Sequence, residues 1–154
     1  MIYNDDSAIG KRLRRLSHII DYDARRLYKE HGIHFEQRWF GVINELMSNG
    51  PMSVKELSVS LKITHVSVSE TRKSLEIKNY IQSTPDKDDA RRRLLSITDE
   101  GQLFIKTISP IWGALEEVSK ELNEETNNVV QGLDKLDAAL TKTSLYERAL
   151  MKIR

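Results

Sequence analysis

Cysteine is absent from this 154-residue chain, and proline and glycine are scarce. Without cysteine the protein has no disulfides, no thiol nucleophile and no thiolate metal site. Three prolines and seven glycines are too few for a turn-rich all-β fold, so the composition favours a mainly helical one. The N-terminal stretch MIYNDDSAIG lacks the basic-then-apolar pattern of a secretion signal, and we therefore expect a cytoplasmic protein.

Long apolar runs and an excess of one charge are also missing. No apolar run approaches the roughly 20 residues that a membrane-spanning helix needs. Lys and Arg total 24 while Asp and Glu total 23, so the net charge is only +1. Nucleic-acid binding would therefore depend on where the positive charges lie. The sequence contains no phosphate-binding glycine loop, nucleophile elbow or H-E-x-x-H motif, and we expect neither enzyme activity nor a cofactor.

Apolar residues at helical spacing predict two helices at the start of the chain. The first follows Ser7, a predicted N-cap, and should end at Gly32. The second should begin near His34, with Gln37 as its capping partner, and should stop at Gly50. Four apolar residues are expected on its buried face: Phe40, Ile43, Leu46 and Met47.

A winged helix-turn-helix is predicted for the middle of the chain. Ser53 opens a short helix through a capping box, and Thr64 caps the next helix, which Asn79 ends. Two short strands, 80–84 and 93–97, form the wing. A long helix with an internal proline should follow the cap Thr98, and Asn123 should cap a final helix.

These elements predict a mainly α fold with a small β-wing. The winged helix-turn-helix covers 35–101, and helical regions lie on either side at 1–34 and 102–154. Both flanking regions carry more apolar stripe than a monomer of this size obviously needs. We therefore expect them to be dimerisation helices.

The stretch DKDDARRRLLSITDEG carries the best-defined motif of the chain. Its pattern is Asp86-x-x-Asp89-x-Arg91-x-x-x-Leu95-x-Ile97-Thr98-x-x-Gly101. This pattern resembles the wing signature of the MarR family of bacterial transcription regulators, and the helix order matches that family over nearly the whole chain. The resemblance implies a homodimeric DNA-binding regulator, most often a repressor, of a pseudo-palindromic operator.

The resemblance also implies roles for individual wing residues. Arg91 is expected to enter the minor groove, where a narrow A·T-rich segment concentrates negative potential. Asp89 should hold the loop and that arginine in place. Arg92 and Arg93 are interpreted as neutralising flanking phosphates, and Arg93 alternatively pairs with an acid. Outside a winged domain, such an arginine run would more often be a solvated face.

The recognition helix THVSVSETRKSLE departs from the family pattern, in which arginine is common near the positions of Glu70 and Ser74. Arg72 has two interpretations, a phosphate contact or an ion pair with Glu76. The predicted DNA-contacting residues are Thr64, His65, Ser67, Ser69, Glu70, Lys73, Asp89, Arg91 and Arg92. An acidic, serine-rich recognition helix and near-neutral charge leave an alternative, a winged-helix protein-interaction module without specific DNA binding.

Family members often bind small aromatic or phenolic acids between the dimerisation helices and the winged domain, which lowers their affinity for DNA. The residues expected to contact such an effector are Arg15, His18, Tyr22, Trp39 and Trp112. The alternative is that these aromatics form plain core. The basic cluster KRLRR is interpreted as a solvated or intersubunit face, or as a source of a ligand-binding arginine. No metal site is expected, because Gly32 separates His31 from His34.

Overall fold

The structure, a computed structural model, describes residues 8–153. Its elements in chain order are α1 (Ile9–Glu30), α2 (Gln37–Asn49), α3 (Val54–Leu61), α4 (His65–Ile77), β1 (Ile81–Pro85), β2 (Arg93–Ile97), α5 (Asp99–Glu125), α6 (Val129–Lys142) and α7 (Leu145–Leu150). This mainly helical chain with one two-stranded sheet confirms the predicted fold class. Across 8–153, no helix combines the length and apolarity needed to span a membrane.

The chain forms two compact units, one up to Ile111 and one from Trp112 onward, and α5 runs through the boundary. The first unit contains α1–α4, the sheet and the first part of α5. The second unit contains the rest of α5 with α6 and α7. The predicted division at 34/35 and 101/102 stays a prediction.

Local caps set the helix ends in the first unit, as the sequence predicts. Gly50 ends α2 with a φ of 74°. Ser53 and Glu56 form both hydrogen bonds of a capping box at the start of α3. Thr64 caps α4, because its hydroxyl oxygen accepts from the Ser67 amide at 3.1 Å. Asn79 then turns the chain out of α4 with a φ of 57°.

The start of α2 differs from the prediction. The helix begins at Gln37, and Glu36 stands before it in an extended conformation without a side-chain cap, so the predicted His34–Gln37 capping pair is wrong. The predicted cap of α1, Ser7, lies outside the described residues. At the other end of α1, the left-handed Gly32, with a φ of 67°, confirms the predicted stop.

The buried face of α2 is also partly different from the prediction. Ile43 and Leu46 are buried as expected, but Phe40 and Met47 are 40% and 51% exposed. Trp39 and Val42 take the inward positions instead. The face therefore follows the spacing 39, 42, 43 and 46, and it turns the large indole ring of Trp39 into the core.

The wing is a two-stranded antiparallel hairpin in which Ile81 pairs with Ile97 and Pro85 pairs with Arg93. The second strand is confirmed at both ends, and the first begins one residue later than predicted. Met52, between α2 and α3, adds a short third pairing, since its amide and carbonyl bond Leu95 at 3.1 and 2.8 Å. Main-chain hydrogen bonds thus fix the wing to the helix-turn-helix.

The first turn of α5 packs closely against the start of the wing. Thr98 is confirmed as the cap of α5, because its hydroxyl oxygen accepts from the Gly101 amide at 3.0 Å. Gly101 is buried, and a Cβ atom at this position would lie 2.1 Å from the Tyr80 carbonyl oxygen. Downstream, α5 continues as one helix through Pro110.

Aromatic rings form the centre of the core in the first unit. Trp39 is fully buried and makes edge-to-face contacts with Phe35 and Tyr80, at ring-centroid distances of 5.8 and 6.0 Å. Tyr80 also stacks on Phe104 at 4.2 Å. The ring of Trp39 therefore joins α2 to the segment that enters the wing.

The second unit differs from the prediction at its first cap. Asn128 caps α6, accepting from the Gln131 amide at 3.2 Å, while α5 continues to Glu125; the predicted cap Asn123 is therefore wrong. Asn123 still stabilises this turn, because its side-chain oxygen accepts from the Val130 amide at 3.0 Å. A further helix, α7, opens on a capping box at Ser144 that the sequence prediction overlooked.

No residue of α6 or α7 (129–142 and 145–150) is buried. Large apolar side chains of the second unit lie exposed instead: Val118, Leu122, Val129, Val130, Leu133, Leu140, Leu145, Tyr146, Leu150, Met151 and Ile153. The helices of this unit thus present an apolar surface that the chain itself leaves uncovered.

Candidate functional site

Helix α4 presents the predicted recognition face to solvent. Its inner side is buried through Val68, Thr71 and Leu75. Five of the six predicted contact residues are exposed and Ser69 is half-buried; the exposed ones are Thr64, His65, Ser67, Glu70 and Lys73. This face therefore offers hydroxyl, imidazole, carboxylate and ammonium groups, and no arginine among the predicted contacts.

The side chain of Ser74 forms hydrogen bonds inside the protein rather than on the exposed face of α4. The Trp39 indole N–H donates to the Ser74 hydroxyl at 2.9 Å, and that hydroxyl lies 3.5 Å from a Glu36 carboxylate oxygen. Ser74 thus satisfies a buried donor of α2, which needs a partner once it is removed from water. The same contact places Trp39 in the core rather than on an open ligand surface.

Arg72 lies beside an acid on its own helix. Its Nη1 is 3.5 Å from Glu76 Oε1, one turn along α4, which confirms the ion-pair interpretation. The side chain of Arg72 is only 28% exposed.

Aspartates shape the wing loop between the strands. The Asp89 carboxylate accepts from the Arg91 amide at 3.0 Å, and its carbonyl accepts from the Arg92 amide at 2.9 Å. Asp86 similarly accepts from the Asp88 amide at 3.1 Å. Asp89 therefore acts on the backbone of Arg91 and fixes the turn from which that side chain extends.

The three consecutive arginines have different surroundings. Arg91 is exposed, and its guanidinium has no hydrogen bond or ion pair with any of residues 8–153. Arg92 Nη2 donates to Glu56 Oε1, and its Nε lies 3.6 Å from Asp86 Oδ2. Arg93 donates from Nε and Nη2 to the hydroxyl and the carbonyl of Ser83, at 2.9 and 2.8 Å.

The suggested pairing of Arg93 with an acid is therefore wrong. The strand register places Arg93 opposite Pro85, so Ser83 is its diagonal neighbour on the adjacent strand. That serine supplies two oxygens within reach. The side chain of Arg93 consequently ties the two strands of the wing together.

Glu56 binds two groups at once. One carboxylate oxygen accepts from the Ser53 amide at 2.8 Å and the other accepts from Arg92. The hydrogen bond from the Ser53 backbone, followed by that from Arg92, holds the pKa of Glu56 below its ordinary value of 4.5. Glu56 is thus a carboxylate at neutral pH, and it links the start of α3 to the wing.

A cleft of about 940 Å³ separates the wing from the starts of α3 and α4. Its lining contains four cationic side chains and one acid: Lys55, Arg91, Arg92, Arg93 and Glu56. His65 lines it as well. Such a cleft, with cations on its helix side and its wing side, can accept an anionic chain.

Of the predicted effector residues, His18 lines the second cleft described below, and the other four do not line it. Arg15, His18 and Tyr22 are exposed on α1, and Trp112 belongs to the second unit. A second cleft of the first unit, about 740 Å³, is lined by His18 together with other polar residues: Asp21, Arg25, Lys29, His34, Glu36 and Arg38. The sequence analysis did not single out Arg25, Lys29 or Arg38. Arg25 and Lys29 lie one turn apart on α1, which was the available signal, although any solvated basic face shares this spacing. Arg38 lies on α2 and had no such signal.

The two histidines of the α1–α2 connection lie near other partners. His31 Nδ1 is 2.8 Å from the Leu27 carbonyl, and His34 Nε2 is 3.9 Å from a Glu36 oxygen. Within the described part of the chain, no group of three or more His, Asp and Glu side chains is placed to hold a metal ion.

Comparison with known proteins finds similarity to transcription regulators over part of the chain. Residues 31–92 match the sequence profile of the MarR family. The chain is 30% identical over 84 residues to the HTH-type transcriptional regulator PrsX of Escherichia coli, an alignment that covers 49% of this chain and 51% of PrsX. The chain thus spans about half the length of the curated relatives it matches.

Solved structures of two regulators share the fold. The PcaV transcriptional regulator of Streptomyces coelicolor, solved in complex with its natural ligand, superposes with a TM-score of 0.75 at 16% identity, over 90% of this chain and 98% of PcaV. The MepR–DNA complex of S. aureus gives a TM-score of 0.73 at 20% identity, over 86% of this chain and 98% of MepR. At these identities the likeness supports the architecture alone.

Proposed function

We propose that this chain, whose residues 31–92 match the MarR family, is a MarR-family regulator of transcription that binds double-stranded DNA as a homodimer. The observation that carries this proposal is the cleft with Arg91 on its wing side and His65 and Lys55 on its helix side. Cations on both sides of a groove suit a phosphate backbone that runs between them.

The proposed DNA contacts divide by role. Arg91, exposed and without an internal partner in 8–153, reaches the minor groove. The exposed face of α4 enters the major groove, where serine hydroxyls, Lys73 and Glu70 contact base edges and phosphates. A two-fold dimer then reads a pseudo-palindromic operator with half-site centres roughly 34 Å apart. Repression follows where that operator overlaps a promoter.

We propose that a small-molecule effector binds in the cleft that His18 lines. Its lining includes three basic residues, Arg25, Lys29 and Arg38, and two acids, Asp21 and Glu36. The excess of basic residues would attract a small carboxylic acid, and the ring of His18 offers a polar handle. PcaV was solved with its natural ligand bound, which is a precedent for ligand binding in this fold. We propose an aromatic or phenolic acid as the ligand. Trp39 is not part of this proposal, since its ring is fully buried.

Selection from a randomised duplex pool tests the regulator proposal. The parent protein should enrich a two-fold symmetric site, and Arg91→Ala should bind every duplex more weakly and lose the A·T preference beneath the wing. Lys135→Ala, on α6, removes one positive charge elsewhere and should leave the selected site unchanged. A parent protein that enriches no site at low salt would instead favour the protein-interaction module.

A further inference from the structure

We infer that Arg92 positions the wing against the helix-turn-helix and does not contact DNA, with Glu56 as its partner. We call the contact of Arg92 with Glu56 and Asp86 the wing brace. The part of this inference that concerns DNA rests on the proposed function, and the brace itself rests on the contacts within the chain.

The first argument is that the guanidinium of Arg92 already lies against two carboxylates of the chain. Its guanidinium lies between a carboxylate of α3 and a carboxylate of the wing loop, since Nη2 donates to Glu56 and Nε is 3.6 Å from Asp86. Glu56 and Arg92 are 36 residues apart in sequence, so the contact joins two separate elements. A phosphate that bound Nη2 or Nε would have to compete with these carboxylates.

The second argument is that Glu56 is itself held in place. Its other oxygen accepts from the Ser53 amide at 2.8 Å, as part of the capping box that opens α3. A flexible surface carboxylate gains little from an ion pair, because both side chains must be ordered. Here the cap has already ordered the carboxylate, so Arg92 meets an acid whose position is fixed.

The third argument is the location of the brace along the wing. The main-chain pairing of Met52 with Leu95 attaches the wing lower on β2. Arg92 attaches it at the loop, directly beside Arg91. Because one attachment is on β2 and the other is in the loop before it, the two together restrict rotation of the hairpin about either one. The brace therefore sets where the Arg91 side chain begins.

Variants with an uncharged side chain at position 56 or 92 distinguish a positioning role from a phosphate contact, because the two roles predict opposite effects on duplex affinity. If Arg92 bound phosphate, Glu56 would compete with DNA for it, and Glu56→Gln would tighten binding. If Arg92 is a positioning residue, Glu56→Gln weakens binding. The salt dependence separates them again, since loss of a phosphate contact reduces the slope of log K against log salt by about 0.9.

The experiment measures duplex affinity at several salt concentrations for the parent, Glu56→Gln, Arg92→Ala and the double variant. Both single variants should lose roughly two- to fivefold in affinity, as expected for one partly exposed ion pair. The double variant should lose no more, and the salt slope should be that of the parent. Tighter binding by Glu56→Gln, or a slope reduced by about one in Arg92→Ala, overturns the inference.

A matched control comes from the second capping box of the chain. Glutamine can replace glutamate in a capping box, so Glu56→Gln keeps the cap and removes the charge. Glu147 caps α7 by the same geometry with Ser144, and its oxygens have no arginine partner in residues 8–153. Glu147→Gln should therefore leave duplex affinity unchanged.

A measurement without DNA tests the brace separately. A double-mutant cycle in urea unfolding should show coupling between positions 56 and 92, and amide exchange at Asp86 and Arg92 should accelerate in each single variant. Additive effects with unchanged exchange overturn the brace. A parent protein that binds no duplex would refute the proposed function, while the cycle would still decide whether the brace exists.

Discussion

At the scale of the residue, the exposed side chain of Glu56 connects two structural elements, α3 and the wing. Its carboxylate caps α3 through the Ser53 amide and receives the guanidinium of Arg92. Both interactions favour the charged form, which is why the pKa of Glu56 lies below 4.5. A group whose folded-state pKa is lowered stabilises the protein above its unfolded-state pKa. That contribution is lost as the pH falls through the lowered value.

Arg92→Ala should therefore raise the pKa of Glu56 only part of the way to 4.5, because the larger cause, the Ser53 backbone hydrogen bond, remains. The pKa of Glu147, which is lowered by Ser144 alone, should not change. A carboxyl-carbon NMR titration of the parent and the variant measures both groups in one sample. An unchanged Glu56 titration in the variant would show that the wing arginine does not reach this carboxylate in solution.

The distance between partners along the chain decided which residue contacts could be predicted. The caps at Ser53, Thr64 and Thr98 use partners within three residues, so the local sequence contained them. Trp39 and Ser74 are 35 residues apart, and no local pattern pairs them. The wing signature placed Arg91, but it did not indicate which neighbouring arginines were occupied by internal partners.

At the scale of the element, the joint between the wing and α5 depends on one missing side chain. A Cβ atom on Gly101 would lie 2.1 Å from the carbonyl oxygen of Tyr80 and 2.8 Å from the side chain of Ile97. Backbone and strand would have to move apart to accept it. The same carbonyl already receives the Thr98 amide at 3.1 Å, so it has little freedom to shift.

Gly101→Ala should accordingly lower the free energy of unfolding by about 1–3 kcal/mol through overpacking. Gly113, on the same helix, is the matched control, since a Cβ there meets no atom within 4 Å among the described residues. Gly113→Ala should stabilise the helix by about 0.5–1 kcal/mol. Chemical denaturation of both variants gives the comparison, and equal effects would contradict the steric account.

Element boundaries were predictable where one capping residue stood alone, and the predictions failed at the starts of α2 and α6, where several nearby polar residues could have capped the helix. Gly50 and Asn79 stop helices through their own backbone preference. The start of α2 instead follows an extended Glu36, whose carboxylate binds Arg38 at 2.7 Å. Asn123 carried a valid capping signal, yet α5 continued past it and Asn128 became the cap.

At the scale of the whole molecule, the exposed apolar surface of α1 is the feature that the fold leaves unexplained within one chain. Ile9, Leu13, Leu16 and Ile20 are 40–61% exposed on this helix. The helices of the second unit carry a similar surface. Apolar stripes of this extent are typical of interfaces between copies, and the proposed homodimer would cover them.

Leu13→Glu combined with Leu16→Glu should therefore shift the protein from dimer to monomer. Both copies of the chain carry the substitutions, so a two-fold interface would lose each leucine contact twice. The dissociation constant of the dimer should therefore rise about 100-fold or more. Leu103→Glu, at a residue 67% exposed on α5, also introduces a negative charge and should leave the dimer intact. Sedimentation velocity at micromolar concentration distinguishes the outcomes, and a dimeric double variant would place the interface elsewhere.

The wing brace also has a consequence for how sequences of this fold can diverge. A mutation that neutralises position 56 leaves Arg92 without its carboxylate partner on α3. A mutation that removes the arginine at 92 leaves the capping carboxylate of Glu56 without its cationic partner. Either change alone weakens the attachment, and a second change at the partner position then costs little more. Among descendants of such a chain, we expect positions 56 and 92 to be inherited as a pair, while Gly101 persists on its own.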